Sequence, residues 1–154
     1  MGKSCVFFGH RWSIPTAAEK ALMRQLVIRL ITEEQVDDFI FGRYGAFDTC
    51  AYEIVSALKK IYPHIRRVLA LAYIPKNQEE AEGLKSAYEH VYLPDNTEVG
   101  PPKFAISRRN RTLAKECDFM ICYVLSRSGG AYAAMRTAKR NQKTVFNLKA
   151  LGED

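Results

Sequence analysis

Ser4-Cys5-Val6-Phe7-Phe8-Gly9-His10-Arg11 is a short, largely apolar run that ends in a glycine and two basic residues. A continuous run of this kind, rich in aromatic and β-branched residues, is typical of a strand buried on both faces of a parallel sheet. Gly9 stands where the strand would end, and glycine lets the backbone turn sharply and approach a phosphate or ribose closely. The segment therefore predicts a buried strand followed by a candidate binding loop.

Comparable apolar runs recur along the chain and are separated by longer helical patterns. Strands are predicted at 4–8, 38–41, 68–73, 119–125 and 144–148, with a weaker one at 90–93, and helices at 16–31, 48–62, 77–88, 102–116 and 130–141. This alternation requires a parallel sheet covered by helices on both faces. We therefore predict a Rossmann-like, three-layer α/β/α fold with a mainly parallel sheet of five or six strands. With 154 residues, the chain is expected to form a single domain over 1–154.

Local signals place several helix boundaries. Thr16 followed by Glu19 is a capping box, which satisfies amides in the first turn of a helix. Pro101 and Pro102 are expected to open the fourth helix, because a proline lacks an amide that would be unpaired there anyway. Pro63 is expected to end the second helix.

Composition and charge restrict the class of protein without naming a partner. The net charge of +6 favours anionic partners, yet the basic residues are scattered, except for the group Arg108, Arg109 and Arg111. No apolar run approaches the roughly 20 residues that a membrane span needs, and the polar opening residues lead us to expect no signal peptide. We therefore expect a cytoplasmic protein that contacts no membrane. The four cysteines show no metal-ligand spacing, so we expect reduced core thiols and no metal site.

The loops that follow the predicted strands form the candidate binding site, because ligands of an open parallel sheet bind beyond the carboxyl ends of its strands. Three of these loops carry glycine directly at a strand end. Amides at the N-termini of the following helices point outwards and favour negative charge. The predicted ligand-binding residues are Gly9, His10, Arg11, Gly42, Arg43, Tyr44, Gly45, Phe47, Asp48, Arg109, Asn110, Ser128, Gly129, Gly130, Ala131 and Tyr132.

Several of these residues have a structural interpretation as well as a functional one. Asn110 falls on the apolar face of its helix, where either loop backbone or a ligand would satisfy it. Arg109 is either an anion contact or an ordinary surface arginine. Asp48 is either the N-cap of the following helix, which the pattern favours, or a partner of ligand hydroxyls. His10 is either a general base or anion contact or a structural residue, and the aromatic residues of these loops either stack on a base or pack against the sheet.

In combination these motifs resemble the SLOG superfamily, the Rossmann-like group named for Smf/DprA and lonely-guy proteins, and especially its small stand-alone YpsA-like members. The resemblance covers nearly the whole chain. It rests on Phe8-Gly9-His10-Arg11, Gly42-Arg43-Tyr44-Gly45-Ala46-Phe47-Asp48, Arg109-Asn110-Arg111 with Leu113, and Ser128-Gly129-Gly130-Ala131-Tyr132. It implies binding of nucleotides or nucleotide-derived signals, including the ADP-ribose-type molecules of sensor domains in bacterial immune systems, and points to a bacterial or phage protein.

The lonely-guy members of this superfamily raise the question of catalysis. They cleave a nucleoside monophosphate to base and ribose phosphate, and the resemblance implies that they use an arginine and a glutamate. Arg109 fits that arginine, whereas Arg136 stands at the position of the glutamate. A cation there opposes an oxocarbenium-like transition state. We therefore expect no catalytic residue; a hydrolase would need a carboxylate from elsewhere, with Asp48 and Glu53 as candidates ahead of Asp118.

Three functions follow from the sequence. The first is a non-catalytic module that senses or sequesters a nucleotide-derived signal such as ADP-ribose or cyclic ADP-ribose, with no required cofactor and as a homo-oligomer. The alternative is a nucleotide N-glycosidase or phosphoribohydrolase of lonely-guy type. The third is single-stranded nucleic-acid binding, suggested by the DprA kinship and the positive charge. It would require a basic, aromatic groove, and because the sequence holds no such contiguous stretch we expect no nucleic-acid partner.

Overall fold

Six strands and five α-helices alternate along residues 2–149, which are the residues that the computed structural model describes. They are β1 (Lys3–Gly9), α1 (Ala17–Thr32), β2 (Val36–Phe41), α2 (Ala46–Lys59), β3 (Arg66–Ala70), α3 (Gln78–Ala87), β4 (His90–Tyr92), α4 (Ala105–Glu116), β5 (Phe119–Tyr123), α5 (Gly130–Arg140) and β6 (Thr144–Asn147). A 3-10 turn at Pro102–Phe104 precedes α4. The weaker strand predicted at 90–93 is present as β4.

The strands of this described region form one parallel sheet in the order β4-β3-β2-β1-β5-β6. The chain adds β2, β3 and β4 on one side of β1 and then crosses back to add β5 and β6 on the other. The strand order therefore reverses between β1 and β5. In open α/β sheets the carboxyl ends of the strands at such a reversal border the crevice where ligands bind. The predicted Rossmann-like α/β/α fold is confirmed, and its strand-order reversal lies between β1 and β5.

The central strand β1 is buried on both faces, as its apolar sequence predicted. Cys5 and Phe7 belong to the core beneath α1 and α2, whereas Val6 and Phe8 belong to the core beneath α4 and α5. This division follows from the two-residue period of a strand, whose successive side chains point to opposite faces. Two cores on one sheet hold β1 rigidly and therefore fix the position of the loop after it.

The predicted capping box at the start of α1 is confirmed. The Thr16 hydroxyl accepts a hydrogen bond from the Glu19 amide at 3.1 Å, and the Glu19 carboxylate accepts one from the Thr16 amide at 2.9 Å. The same carboxylate accepts a hydrogen bond from the Tyr123 hydroxyl at 2.6 Å. The cap of α1 is therefore tied to the end of β5, beside the strand-order reversal.

Several predicted boundaries are wrong at the ligand edge of the sheet. β3 ends at Ala70 rather than at residue 73, and β5 ends at Tyr123 rather than at residue 125, because the chain leaves the sheet there to form loops. The prolines at 101 and 102 open a 3-10 turn, and α4 begins only at Ala105. Apolar character continues past the strand ends, so the composition of these runs alone could not locate them.

The four cysteines are buried, unpaired thiols, as predicted, at positions Cys5, Cys50, Cys117 and Cys122. Burial raises the pKa of Cys117 to about 11 and that of Cys122 to about 12, which keeps both thiols neutral. Over residues 2–149, no cluster of three or more His, Cys, Asp or Glu side chains is placed to hold a metal ion. Within the same residues, none of the helices has both the length and the apolar character that crossing a membrane requires.

Replacing Phe39 with alanine is expected to lower the free energy of unfolding by about 3–5 kcal/mol, because the Phe39 side chain is fully buried under α1 and α2 and its removal leaves a cavity. Urea denaturation followed by circular dichroism measures the change. Ile61→Ala, at a side chain that is 60% exposed, is the control and should change stability by no more than about 0.5 kcal/mol. Equal effects of the two substitutions would contradict the described core.

Candidate functional site

A cleft of about 420 Å³ opens at the carboxyl ends of β1 and β5. The loops after β1, β2 and β5 line it, together with the first turns of α4. Among the predicted residues, those that line the cleft are Gly9, His10, Arg11, Gly42, Tyr44, Asp48, Arg109, Asn110, Gly129, Gly130 and Ala131. The remaining predicted residues, Arg43, Gly45, Phe47, Ser128 and Tyr132, do not line it. Trp12, Ile106 and Ser107 also line the cleft and were not among the predicted residues.

Asp48 holds the loop after β2 and does not cap a helix. Its carboxylate accepts hydrogen bonds from the Gly42 amide at 3.2 Å and the Arg43 amide at 2.8 Å. The N-cap of α2 is Gly45, whose φ of 93° lies in the left-handed region that glycine tolerates, so the N-cap interpretation of Asp48 is wrong. Burial raises the pKa of Asp48 to about 6, and the two amides and Arg109 oppose that rise only in part.

Arg109 is a buried tether between strand ends, and the interpretation as an ordinary surface arginine is wrong. Only 4% of the residue is exposed. Its guanidinium donates to the carbonyl of Gly42 at 3.0 Å, the carbonyl of Ala70 at 3.3 Å and the side-chain oxygen of Asn110 at 2.9 Å. Burial lowers the pKa of Arg109, and the nearby Asp48 carboxylate counteracts that shift. Asn110 therefore finds its partner in the neighbouring arginine rather than in loop backbone.

His10 joins the loop after β1 to the loop after β5. Its Nε2 accepts a hydrogen bond from the Ser126 amide at 3.3 Å, which assigns the proton of the neutral ring to Nδ1. Burial lowers the pKa of His10, so the neutral form prevails. Nδ1 lies on the side of Gly129, 3.9 Å from where a Cβ on that glycine would stand. His10 is therefore structural through one nitrogen and presents a donor towards the glycine loop with the other.

Two exposed aromatic rings border the cleft. Trp12 is 66% exposed and lies flat on the His10 ring, with 4.9 Å between centroids and 3° between planes. Tyr44 is 40% exposed, and the guanidinium groups of Arg11 and Arg109 lie 5.3 and 5.7 Å from its ring centroid. Phe47, by contrast, is buried against Tyr123, so only its packing interpretation holds. An exposed tryptophan directly after His10-Arg11 was the available sequence signal for the cleft wall.

Tyr132 lies in a second groove, of about 440 Å³, between α4 and α5. Arg136 lies there too, and its guanidinium donates a 2.7 Å hydrogen bond to the Tyr132 hydroxyl. The groove adjoins the cleft, because Ser107, Asn110 and Gly130 line both. The residue at the position of the lonely-guy glutamate thus faces the groove rather than the cleft.

The two carboxylates considered for hydrolysis differ in position. Asp48 lines the cleft, but both of its oxygens accept loop amides. Glu53 is an exposed residue of α2 that does not line the cleft. The described arrangement therefore offers glycine amides, cations and aromatic surfaces, which are groups that bind an anionic, base-containing ligand.

Asp48→Asn is expected to change how stability depends on pH. Because the pKa of Asp48 is about 6 in the folded protein and ordinarily 3.8, the folded state binds more protons between these values, and stability falls as pH rises through them. A shift of this size corresponds to about 3 kcal/mol. Relative to the wild type, D48N should therefore gain up to about 3 kcal/mol between about pH 4 and pH 6 in urea denaturation. Glu53→Gln on the same helix is the control, and a flat difference for D48N would contradict the burial of a carboxylate.

Comparisons with known proteins find similarity in structure only. No family model and no curated protein matches the chain. Among solved structures, the chain superposes on DNA processing protein A (DprA) from Helicobacter pylori with a TM-score of 0.63 at 19% identity. The superposition covers 99% of this chain and 68% of that one, and that structure concerns the single-stranded DNA binding mode of DprA. The expectation of no nucleic-acid partner is wrong. It rested on the lack of a contiguous basic and aromatic stretch in the sequence, whereas folding brings exposed rings and basic side chains together from separate segments of the chain.

DprA from Streptococcus pneumoniae superposes with a TM-score of 0.65 at 17% identity, over 99% of this chain and 52% of that one. The chain therefore spans about half the length of the pneumococcal protein. Both superpositions include nearly all of the chain, so the similarity extends to every strand of the sheet and not to a local motif. The chain shares the Rossmann-like fold of these two DprA structures.

Proposed function

We propose that the chain binds single-stranded nucleic acid, and DNA in particular, through the cleft at β1 and β5. The observation that carries the proposal is that two exposed aromatic rings, the exposed Arg11 and the glycine amides line one cleft. Proteins that bind single strands combine these same groups, because rings stack on bases while positive charge follows the backbone.

The rings are held ready for stacking on a base. One face of the Trp12 ring packs on His10, which restricts rotation of the Trp12 side chain. His10 is itself held by the hydrogen bond from the Ser126 amide. Tyr44 keeps 40% of its surface exposed, and the guanidinium groups of Arg11 and Arg109 lie 5.3 and 5.7 Å from its ring centroid. Large exposed rings normally lower solubility, and rings held in place at a cleft support a binding role.

The phosphate side of the cleft is the start of α5. Gly129 has a φ of 91°, and the helix begins directly after it, so the first amides of α5 are available to an anion. A Cβ on Gly130 would lie 3.4 Å from the side-chain nitrogen of Asn110, which is an ordinary van der Waals contact. The turn that presents these amides therefore depends on glycine at position 129, whose φ of 91° side chains rarely adopt.

The similarity to DprA supports this proposal, since the Helicobacter pylori protein of the same fold binds single-stranded DNA. The identities are 19% and 17%, so the support comes from the shared fold and from the cleft's own chemistry rather than from shared residues.

A second candidate is a free nucleotide-derived ligand of the ADP-ribose or cyclic ADP-ribose type, as YpsA-like membership would suggest. The size of the cleft favours it, because about 420 Å³ falls within the range of small-molecule pockets. Under this hypothesis the chain is a sensor or sequestering module. The homo-oligomer and the cytoplasmic location predicted from the sequence stay predictions.

Trp12→Ala and Tyr44→Ala are each expected to weaken binding of a fluorescein-labelled single-stranded oligothymidylate by about 1–3 kcal/mol, the usual effect of losing one base–aromatic stack. Fluorescence anisotropy measures the affinity. Trp12→Phe should retain most of it, and Ile61→Ala, at the opposite edge of the sheet, should retain all of it. Unchanged binding by both alanine variants would contradict the proposed rim.

A thermal-shift comparison separates the two candidates. A ligand at 100 times its Kd stabilises the folded state by about 2.7 kcal/mol, so a specific ligand should raise Tm clearly. We expect the oligothymidylate to raise Tm more than ADP-ribose or cyclic ADP-ribose at equal concentration. Stabilisation by an ADP-ribose compound alone would favour the second candidate.

A further inference from the structure

The groove between α4 and α5 has a charge pattern that the cleft does not explain. Arg111 from α4 and Arg136 and Arg140 from α5 line it, and none of the residues described in its lining is acidic. Arg136 and Arg140 are four positions apart and so lie on the same side of α5, one helical turn from each other. Three arginine residues therefore line one channel of about 440 Å³.

These arginines lack the acidic partners that other arginines of the chain have. Arg66 pairs with Asp38 at 2.8 Å, and Arg67 pairs with Glu89 at 2.6 Å. Within residues 2–149, by contrast, no salt bridge reaches the three arginines of the groove. Like charges gathered without counter-charges repel one another, so an anion in the groove would relieve that repulsion.

The side chains of the groove are partly arranged in advance. The Arg136 guanidinium is held on the Tyr132 ring, 5.7 Å from its centroid, and uses one nitrogen for the Tyr132 hydroxyl. Arg140 makes one long contact, of 3.4 Å, to the Thr137 hydroxyl. Both keep further N–H groups for a ligand, and the planar guanidinium fork matches the oxygens of a phosphate.

The groove continues the cleft, since Ser107, Asn110 and Gly130 belong to both walls. A strand whose base lies at Trp12 and Tyr44 and whose phosphate lies at the start of α5 can thus pass directly between α4 and α5. The route requires a ligand longer than a single nucleotide.

We propose that the α4/α5 groove is a second phosphate-binding segment, in which Arg111, Arg136 and Arg140 bind phosphates that flank the nucleotide in the cleft. This inference rests on the proposed function. In this case the ligand is a single strand of several nucleotides rather than a mononucleotide. Much of the salt dependence of binding then comes from the phosphate contacts in the groove.

The test compares R136A/R140A with wild type on a thymidine dodecamer and a thymidine dinucleotide. Binding is measured by anisotropy for the dodecamer and by calorimetry for the dinucleotide. The groove variant should bind the dodecamer about tenfold more weakly, since two partly screened charges are lost. Its slope of log K against log salt, from about 50 to 200 mM, should be smaller by about 1.4, or about 0.7 for each phosphate contact. Its affinity for the dinucleotide should change less than about twofold.

The control is R24A/K60A, which removes two exposed positive charges from α1 and from the end of α2, on the other face of the sheet. It should leave the affinity for the dodecamer and the salt slope close to those of the wild type. If the two double variants behave alike while wild type binds the dodecamer, the groove is not a phosphate segment, although the proposed function stands. If wild type binds no dodecamer, both proposals fail. Equal losses on the dodecamer and dinucleotide, or arginine-dependent binding to phosphatidylserine vesicles without binding to the dodecamer, would also overturn the inference.

Discussion

The buried guanidinium of Arg109 connects the strand ends on which the candidate site depends. It reaches the carbonyl of Gly42 after β2 and the carbonyl of Ala70 at the end of β3, while its own helix lies on the far side of the cleft. A charge buried to this degree is costly unless its donors are satisfied, and here they are taken up by the two carbonyls and by Asn110. The buried guanidinium also requires glycine at position 42, because a Cβ there would stand 2.8 Å from it.

Asp48 completes this arrangement from the other direction. Its oxygens hold the amides of Gly42 and Arg43, while Arg109 holds the Gly42 carbonyl, so one peptide segment is fixed on both sides. The segment needs such support, because Arg43 has a φ of 78°, which side chains rarely adopt. The result is a rigid turn that presents Tyr44 at the rim. The buried side chains of Arg109 and Asp48 thus fix the position of the exposed Tyr44 ring. The free-energy cost of burying these two ionisable groups is offset by the hydrogen bonds that hold the loop.

Much of the fold was predictable because its determinants are local. The apolar run at 4–8 and the Thr16–Glu19 capping box each depend on neighbours within a few positions. The glycine loops were also predictable, since chirality and sheet topology bring all carboxyl ends of parallel strands to one edge. The roles of Arg109 and Asp48 were not, because each depends on burial and on partners in other elements: the Ala70 carbonyl is 39 positions from Arg109. The α4/α5 groove was hidden for the same reason, as its arginines come from two helices separated by a strand.

The position of Arg136 connects the sequence resemblance with the proposed function. In the hydrolases that the motifs resemble, a carboxylate at this position serves cleavage, whereas here a cation faces a groove beside the cleft. Replacing negative by positive charge does two things at once: it removes a group that would stabilise a developing oxocarbenium ion, and it adds one that attracts phosphates. Tyr132 and Ala133 also stand where the motif of those hydrolases has glycine and threonine, so the chain departs from it at three positions. Under the proposed function, the cation at Arg136 favours holding a longer anionic strand over cleaving a small nucleotide. For the proposed function, the placement of the positive charge matters more than the net charge of +6: within residues 2–149, the three groove arginines beside the cleft have no acidic partner.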